Sequence, residues 1–233
     1  MFEGAGGAAH RTGRQVDFAL RTTPTLRAMR TDIPETTVAR LPRYLRCLTD
    51  LHPTSGPCSS EDLAHAAGVN AAQVRKDLSY LGAQGTRGVG YDHEILSKRI
   101  REVLGLTSTH PVIVIGAGNM GTALTNYRGF DTWGFDIVAV LDVDDARIGT
   151  RVDDLMVEPL DRLEEIVADK GIEIGILATP PSAAQPVADR LMAAGVRSIL
   201  NLAPVILQTE DQVSVRRVDL STELGILAYH LTS

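Results

Sequence analysis

Aromatic side chains make up only 4% of this 233-residue chain, so its cores must be filled mainly by Leu, Ile, Val and Ala. Cysteine is scarcer still. Cys47 and Cys58 are the only two, too few for a disulfide framework and lacking zinc spacing, so they read as reduced structural thiols and no metal is expected. No apolar run reaches the ~18 residues of a membrane span. The N-terminus has no apolar segment of the signal-peptide kind, and the expected location is cytoplasmic, with no membrane partner. Positive charge is also lacking. A net charge of -6 excludes a generally basic surface, so any contact with nucleic acid must be local.

The length allows two domains with their own cores. Residues 1–32 are rich in Gly, Ala, Thr and Arg without periodicity and are expected to form a disordered tail. Val38, Leu41, Leu45 and Leu48 share one helical face, which predicts a helix over 35–51, kinked or started late by Pro42. A loop is expected at 52–57. From Pro111 the pattern alternates. Strands are expected at 112–115, 137–141, 172–177, 198–202 and 213–218, and helices at 160–167, 182–194 (capped by Ser182, stopped by Gly195) and 221–231. Such alternation predicts an α/β chain whose C-terminal part is a doubly wound parallel sheet of the Rossmann type.

Before that sheet, the segment 59–91 reads as a helix pair and a wing. Ser59 and Asp62 fit a capping box, Gly68-Val69 a turn, and Asn70 the cap of the next helix. There Val74, Leu78 and Leu81 point inward. Arg75, Lys76, Ser79 and Tyr80 then face outward, with Gln73 at the margin. Arg and Gln suit bidentate bonds to guanine and adenine edges, and a helix fits the major groove; a solvated polar face on an ordinary helix pair is the alternative. Gly82, Gly85, Gly88 and Gly90 then surround Thr86-Arg87, as in a tight hairpin that carries its arginine into the minor groove. The plain alternative is a glycine-rich linker.

The second motif is Gly116-Ala117-Gly118-Asn119-Met120-Gly121, which follows a predicted strand and opens a helix. Glycines there permit a tight turn and close approach of a pyrophosphate to backbone N–H groups. Asp142 lies twenty-one residues past Gly121, where a carboxylate bonds the ribose hydroxyls of NADH or NAD+ and repels a 2′-phosphate. Arg147 would partly offset that repulsion. Ala178-Thr179-Pro180 ends the third strand, beside the nicotinamide half. Beyond Gly121 the only histidine is His230 and the only lysine Lys170, so no acid–base machinery accompanies the turn and the chain reads as a sensor, not an enzyme.

Four segments, RKDLSYLGAQGTRGVGY, VIVIGAGNMGTALTNYRGF, LDVD and ILNLAPV, together resemble the redox-sensing transcriptional repressor family Rex, over about 36–231. The resemblance implies a winged-helix domain at 33–108, with its helix-turn-helix at about 43–82. It also implies a Rossmann domain at 109–219, and a C-terminal helix at 220–233 swapped in a homodimer. Operator DNA would be released when NADH binds, whereas NAD+ permits repression. It further implies three switch residues: Arg46 on the winged-helix domain, Tyr127 responding to the nicotinamide, and Asp219 pairing with them. Leu220, Leu224, Leu227 and Leu231 form a stripe that closes its own domain or crosses to a second subunit. Two other readings are an NAD-dependent oxidoreductase with an assembly domain and a CoA-binding ligase subunit.

Overall fold

The computed structural model describes residues 33–50 and 56–231. They form two compact units that divide between Leu104 and Gly105, four residues before the boundary expected from sequence. The expected tail 1–32, most of the loop at 52–57, and the final two positions lie outside the described residues.

The first unit is helical. The single helix expected at 35–51 arrives as two pieces, α1 (Glu35–Val38) and α2 (Leu41–Asp50). Pro42 sits in the first turn of α2, where its missing N–H costs nothing. Next come α3 (Ser60–Ala67) and α4 (Ala71–Tyr80). The capping box forms as expected: the Asp62 N–H donates to Ser59 Oγ at 3.1 Å, and the Ser59 N–H donates to Asp62 Oδ2 at 3.0 Å. Gly68 closes α3 at φ +68°, and Asn70 Oδ1 accepts from the Gln73 N–H at 2.8 Å. A further helix, α5 (His93–Leu104), was not expected from the sequence; it buries Leu96, Ile100 and Val103 and packs on α2. Leu41, Leu45, Leu63, Val74, Leu78 and Ile100 are fully buried, each worth roughly 1.5–3 kcal/mol relative to exposure.

The expected hairpin is smaller than a pair of strands. Thr86 and Gly90 form a single antiparallel bridge, with N–H···O distances of 2.9 Å in both directions, and Arg87-Gly88-Val89 make the turn. Cys58 and Tyr91 form a second bridge at its base.

The second unit holds a seven-stranded sheet in the order β3-β4-β2-β1-β5-β6-β7. Its elements are β1 (His110–Ile115), α6 (Asn119–Thr125), β2 (Phe135–Asp142), β3 (Arg151–Val152), β4 (Leu155–Pro159), α7 (Leu163–Lys170), β5 (Ile174–Leu177), α8 (Pro181–Ala193), β6 (Ser198–Asn201), β7 (Ser214–Arg217) and α9 (Leu220–Leu231). All strand pairs are parallel except β3–β4. That short hairpin escaped the sequence reading because two residues of strand carry no alternation. Helix α8 opens on Pro181 after Pro180, not on a Ser182 cap, since proline's fixed φ already suits a first helical turn. One sheet face packs Ile113, Ile115, Leu141 and Leu177 against Leu163 and Ile166 of α7 and Val187 and Leu191 of α8. The opposite face is partly open, with a hollow of about 310 Å³ among Phe130, Phe135, Ile137, Ile176 and Leu200.

Candidate functional site

The order of strands reverses between β1 and β5, and the register brings three chain segments level there. Ile115 pairs with Leu141 on one side and Leu177 on the other. The next residues are therefore the glycine turn, Asp142 and Ala178, the position at which doubly wound sheets bind ligands. They line a cavity of about 480 Å³, within the usual range for a cofactor site.

Within this cavity the structure gathers Gly116, Gly118, Asn119, Met120, Asp142, Ala178, Thr179 and Pro180. Gly116 adopts φ +104°, and a Cβ there would lie 2.5 Å from the Ala178 carbonyl oxygen. A Cβ at Gly121 would overlap the carbonyl of Gly116, whereas one at Gly118 would meet only Arg147 Nη1, at 3.6 Å. The first and third glycines therefore serve close packing, and the second leaves room for a ligand. Ala117 and Gly121 are buried and are not among the residues that line the cavity. Asp142 does more than face the cavity. Its Oδ2 accepts from the Ala117 N–H at 2.6 Å and from Arg147 Nη1 at 3.2 Å; its Oδ1 accepts from the N–H groups of Val143 at 2.7 Å and Asp144 at 3.0 Å. Burial pushes its pKa up, but these donors outweigh burial and hold the carboxyl below its ordinary value. Thr179 Oγ1 is buried without a hydrogen-bond partner. A buried hydroxyl left so at a cavity wall fits a polar ligand group, and the turn and Asp142 fit a dinucleotide.

Tyr127 stands apart from this cavity. It follows α6, is half exposed, packs edge-on against Phe130 with ring centroids 5.1 Å apart, and lines a separate hollow with Asp131 and Asp136. Asp219 caps α9, its Oδ1 accepting from the Ser221 N–H at 3.0 Å and the Thr222 N–H at 3.4 Å. Arg46 is exposed on α2 of the first unit.

In the first unit a groove of about 610 Å³ runs between the wing and the start of α3. Arg75 and Arg87 both line it. Arg75 donates from Nη1 to Ser60 Oγ at 2.9 Å and lies 3.7 Å from Glu61 Oε1, two partners the sequence reading did not identify. Gly88 at φ +78° and Gly90 at φ +106° shape the turn, and a Cβ at Gly90 would run into the Cys58 carbonyl. Lys76 is exposed, and Ser79 Oγ donates to the Lys76 carbonyl at 2.7 Å. Tyr80 is half-buried. Gln73 is drawn away from the outward face, its Nε2 donating to Asp77 Oδ1 at 2.8 Å. Asp77 itself was missed. Its position between Val74 and Leu78 already puts it on the inward face, where an acid requires a buried cation.

Two family models match the chain. One described as "Putative DNA-binding protein N-terminus" covers residues 32–79, and one described as "CoA binding domain" covers 107–205. The chain is 57% identical over 199 residues to the redox-sensing transcriptional repressor Rex of Streptomyces griseus, covering 85% of this chain and 79% of that protein. It is 48% identical to Rex of Carboxydothermus hydrogenoformans, covering 85% and 96% of the two chains. The chain belongs to the Rex family. Solved structures of a Rex-family repressor, RSP, agree in both units. RSP in complex with β-NAD+ and operator DNA superposes with a TM-score of 0.79 at 37% identity, over 85% of this chain and 92% of that one. RSP in complex with β-NADH gives 0.77 at 36% identity, over 86% and 94%. Rex relatives match across both units, so the CoA-binding name of one model describes a shared nucleotide fold and not a ligase subunit.

Proposed function

We infer that this protein is a repressor that binds operator DNA and releases it when NADH binds, and so reads the NADH/NAD+ ratio. One observation carries this reading: a single chain holds a wing-and-helix groove bearing Arg75 and Arg87 and a separate glycine-turn cavity, and a relative of the same fold, 36–37% identical, was solved with NAD+ and operator DNA and with NADH. It is a transcription regulator and not an enzyme.

The residues at 33–108 form the DNA-reading domain, with Arg75, Lys76, Ser79 and Tyr80 of α4 toward the major groove and Arg87 toward the minor groove. Gln73, expected at the margin of this face, is instead held by the Asp77 carboxylate. The cofactor lies along Gly116 to Gly121, with Asp142 at the adenosine ribose and Ala178-Thr179-Pro180 beside the nicotinamide. When bound, the nicotinamide supplies only its charge and ring shape as the signal: NAD+ carries a ring charge that NADH lacks. Arg46, Tyr127 and Asp219 form the relay that distinguishes them. The protein works in the cytoplasm; among the described residues no helix is long and apolar enough to cross a membrane.

The working form is a homodimer in which α9 crosses to the partner. No residue of α9 is buried, and Leu224, Leu227 and Tyr229 are 65%, 61% and 70% exposed. A helix that apolar needs a covering surface, and the partly open sheet face offers one. Gel shift on a palindromic operator with NADH titrated in tests the switch; an unchanged shift would refute it. Light scattering of Leu224→Glu tests the dimer, with monomers expected.

A further inference from the structure

Among the described residues of the first unit, a dense polar cluster surrounds Asp77, which is fully buried on α4. Its carboxylate accepts five hydrogen bonds. Oδ1 receives them from Thr37 Oγ1 at 2.9 Å, Arg40 Nη2 at 2.8 Å and Gln73 Nε2 at 2.8 Å; Oδ2 receives them from Arg40 Nε at 2.6 Å and Tyr44 Oη at 2.7 Å. The donors come from α1, the link between α1 and α2, α2, and α4 itself. Burial alone would raise the Asp77 pKa, but these donors hold it down at about 2. Desolvation and the neighbouring carboxylate push the Tyr44 hydroxyl up.

A buried ion pair of this kind adds little net stability, because desolvation offsets its attraction. It does restrict geometry. Any shift that loses one partner strands a charge in the core. At 100° per residue, Arg75 and Ser79 project about 160° from Asp77 around α4, and Lys76 about 100°. Rotating or sliding α4 by one residue would break the Arg40 fork and swing Arg75 off the outward face. Gln73 is tethered to the same carboxylate, so its amide is placed by the cluster as well.

We propose that Asp77, with Arg40 and Tyr44, is a positioning cluster that sets the rotation of the reading helix and thereby determines operator discrimination without touching DNA. This rests on α4 being the DNA reader. Loss of the cluster should lower discrimination between duplexes while leaving attraction to phosphates intact, because the charges facing DNA are unchanged.

The test begins with a duplex selected from a random pool by the wild-type protein with NAD+. Wild type, Asp77→Asn and Tyr44→Phe are then titrated on that duplex and on its scrambled counterpart across a salt series. Asp77→Asn should lower the ratio of the two affinities by about 10-fold or more, and Tyr44→Phe, which removes one hydrogen bond and keeps the ring, by about 3-fold. Scrambled-duplex affinity, salt slope and NADH affinity should not change. Selection that enriches no duplex refutes the DNA-reading assignment itself. With a selected duplex in hand, full discrimination in Tyr44→Phe and in a folded Asp77→Asn overturns the proposal. An equal loss on both duplexes also overturns it, since that is the mark of a scaffold. If Asp77→Asn does not fold, Tyr44→Phe decides alone.

Discussion

A side chain at Gly121 would overlap the carbonyl oxygen of Gly116, so the third glycine of the turn packs directly on the first. This contact holds α6 against the end of β1 and presents the open backbone at Gly118. Gly121→Ala should force the two apart. Overpacking of this kind costs about 1–3 kcal/mol, so the melting temperature should fall and calorimetry should show NADH binding lost, with operator binding retained but insensitive to NADH.

Arg75 and Arg87 line one groove but should fail differently. Arg75→Ala should cost about 1–3 kcal/mol and relax the preference at one base position, as expected for a bidentate contact. Arg87→Ala should weaken binding to all duplexes and reduce the salt slope by about 1. Competition titrations over a salt series separate the two. Identical behaviour of both variants and wild type would remove the groove from the DNA interface.

Asp142 has two duties, so its replacement should show two effects. Asp142→Ala removes the acceptor for the Ala117 N–H and a negative charge in the cavity wall, where the proposed function places the ribose. NADH affinity should fall by about 10-fold, in line with the loss of charge-assisted hydrogen bonds, and the preference over NADPH should narrow. Calorimetry with both reduced cofactors measures this; an unchanged ratio would assign the discrimination to another residue.

Coupling between the sites should depend on Asp219. By linkage, operator DNA must weaken NADH by the factor with which NADH weakens DNA, commonly about 5–150-fold. Asp219 also caps α9, and removing a cap costs about 1 kcal/mol, so Asp219→Asn is the better variant: it keeps a capping oxygen and removes the charge. NADH affinity measured with and without operator should then converge. A full wild-type ratio in that variant would route the coupling elsewhere, with α9 the next candidate.

Much of this was readable from residue order. The capping box at Ser59 and Asp62, the cap at Asn70 and the stop at Gly68 are local chemistry and formed as expected. The glycine turn was readable because a buried strand, three glycines and a later acid occur in one order. Helix α5 was legible too: Leu96, Ile100 and Val103 recur at helical spacing and are the residues it buries. The β3–β4 hairpin was missed for a physical reason: β3 has two residues, too short for a periodic signal, and is held by its pairing with β4.

Local sequence determined where helices begin and end and which residues form the glycine turn, because caps, glycines and strand periodicity act within a few residues. Only the tertiary structure decided what those residues touch. Register across β2, β1 and β5 brought Gly116, Asp142 and Ala178 to one cavity. Tyr127, close to the turn in sequence, was carried to a separate hollow. Asp77 belongs to this second class: its sequence position showed an acid on an inward face, but its partners Thr37, Arg40 and Tyr44 lie 40, 37 and 33 residues away. A buried carboxylate is tolerable only where folding delivers such partners, and no local pattern records that delivery.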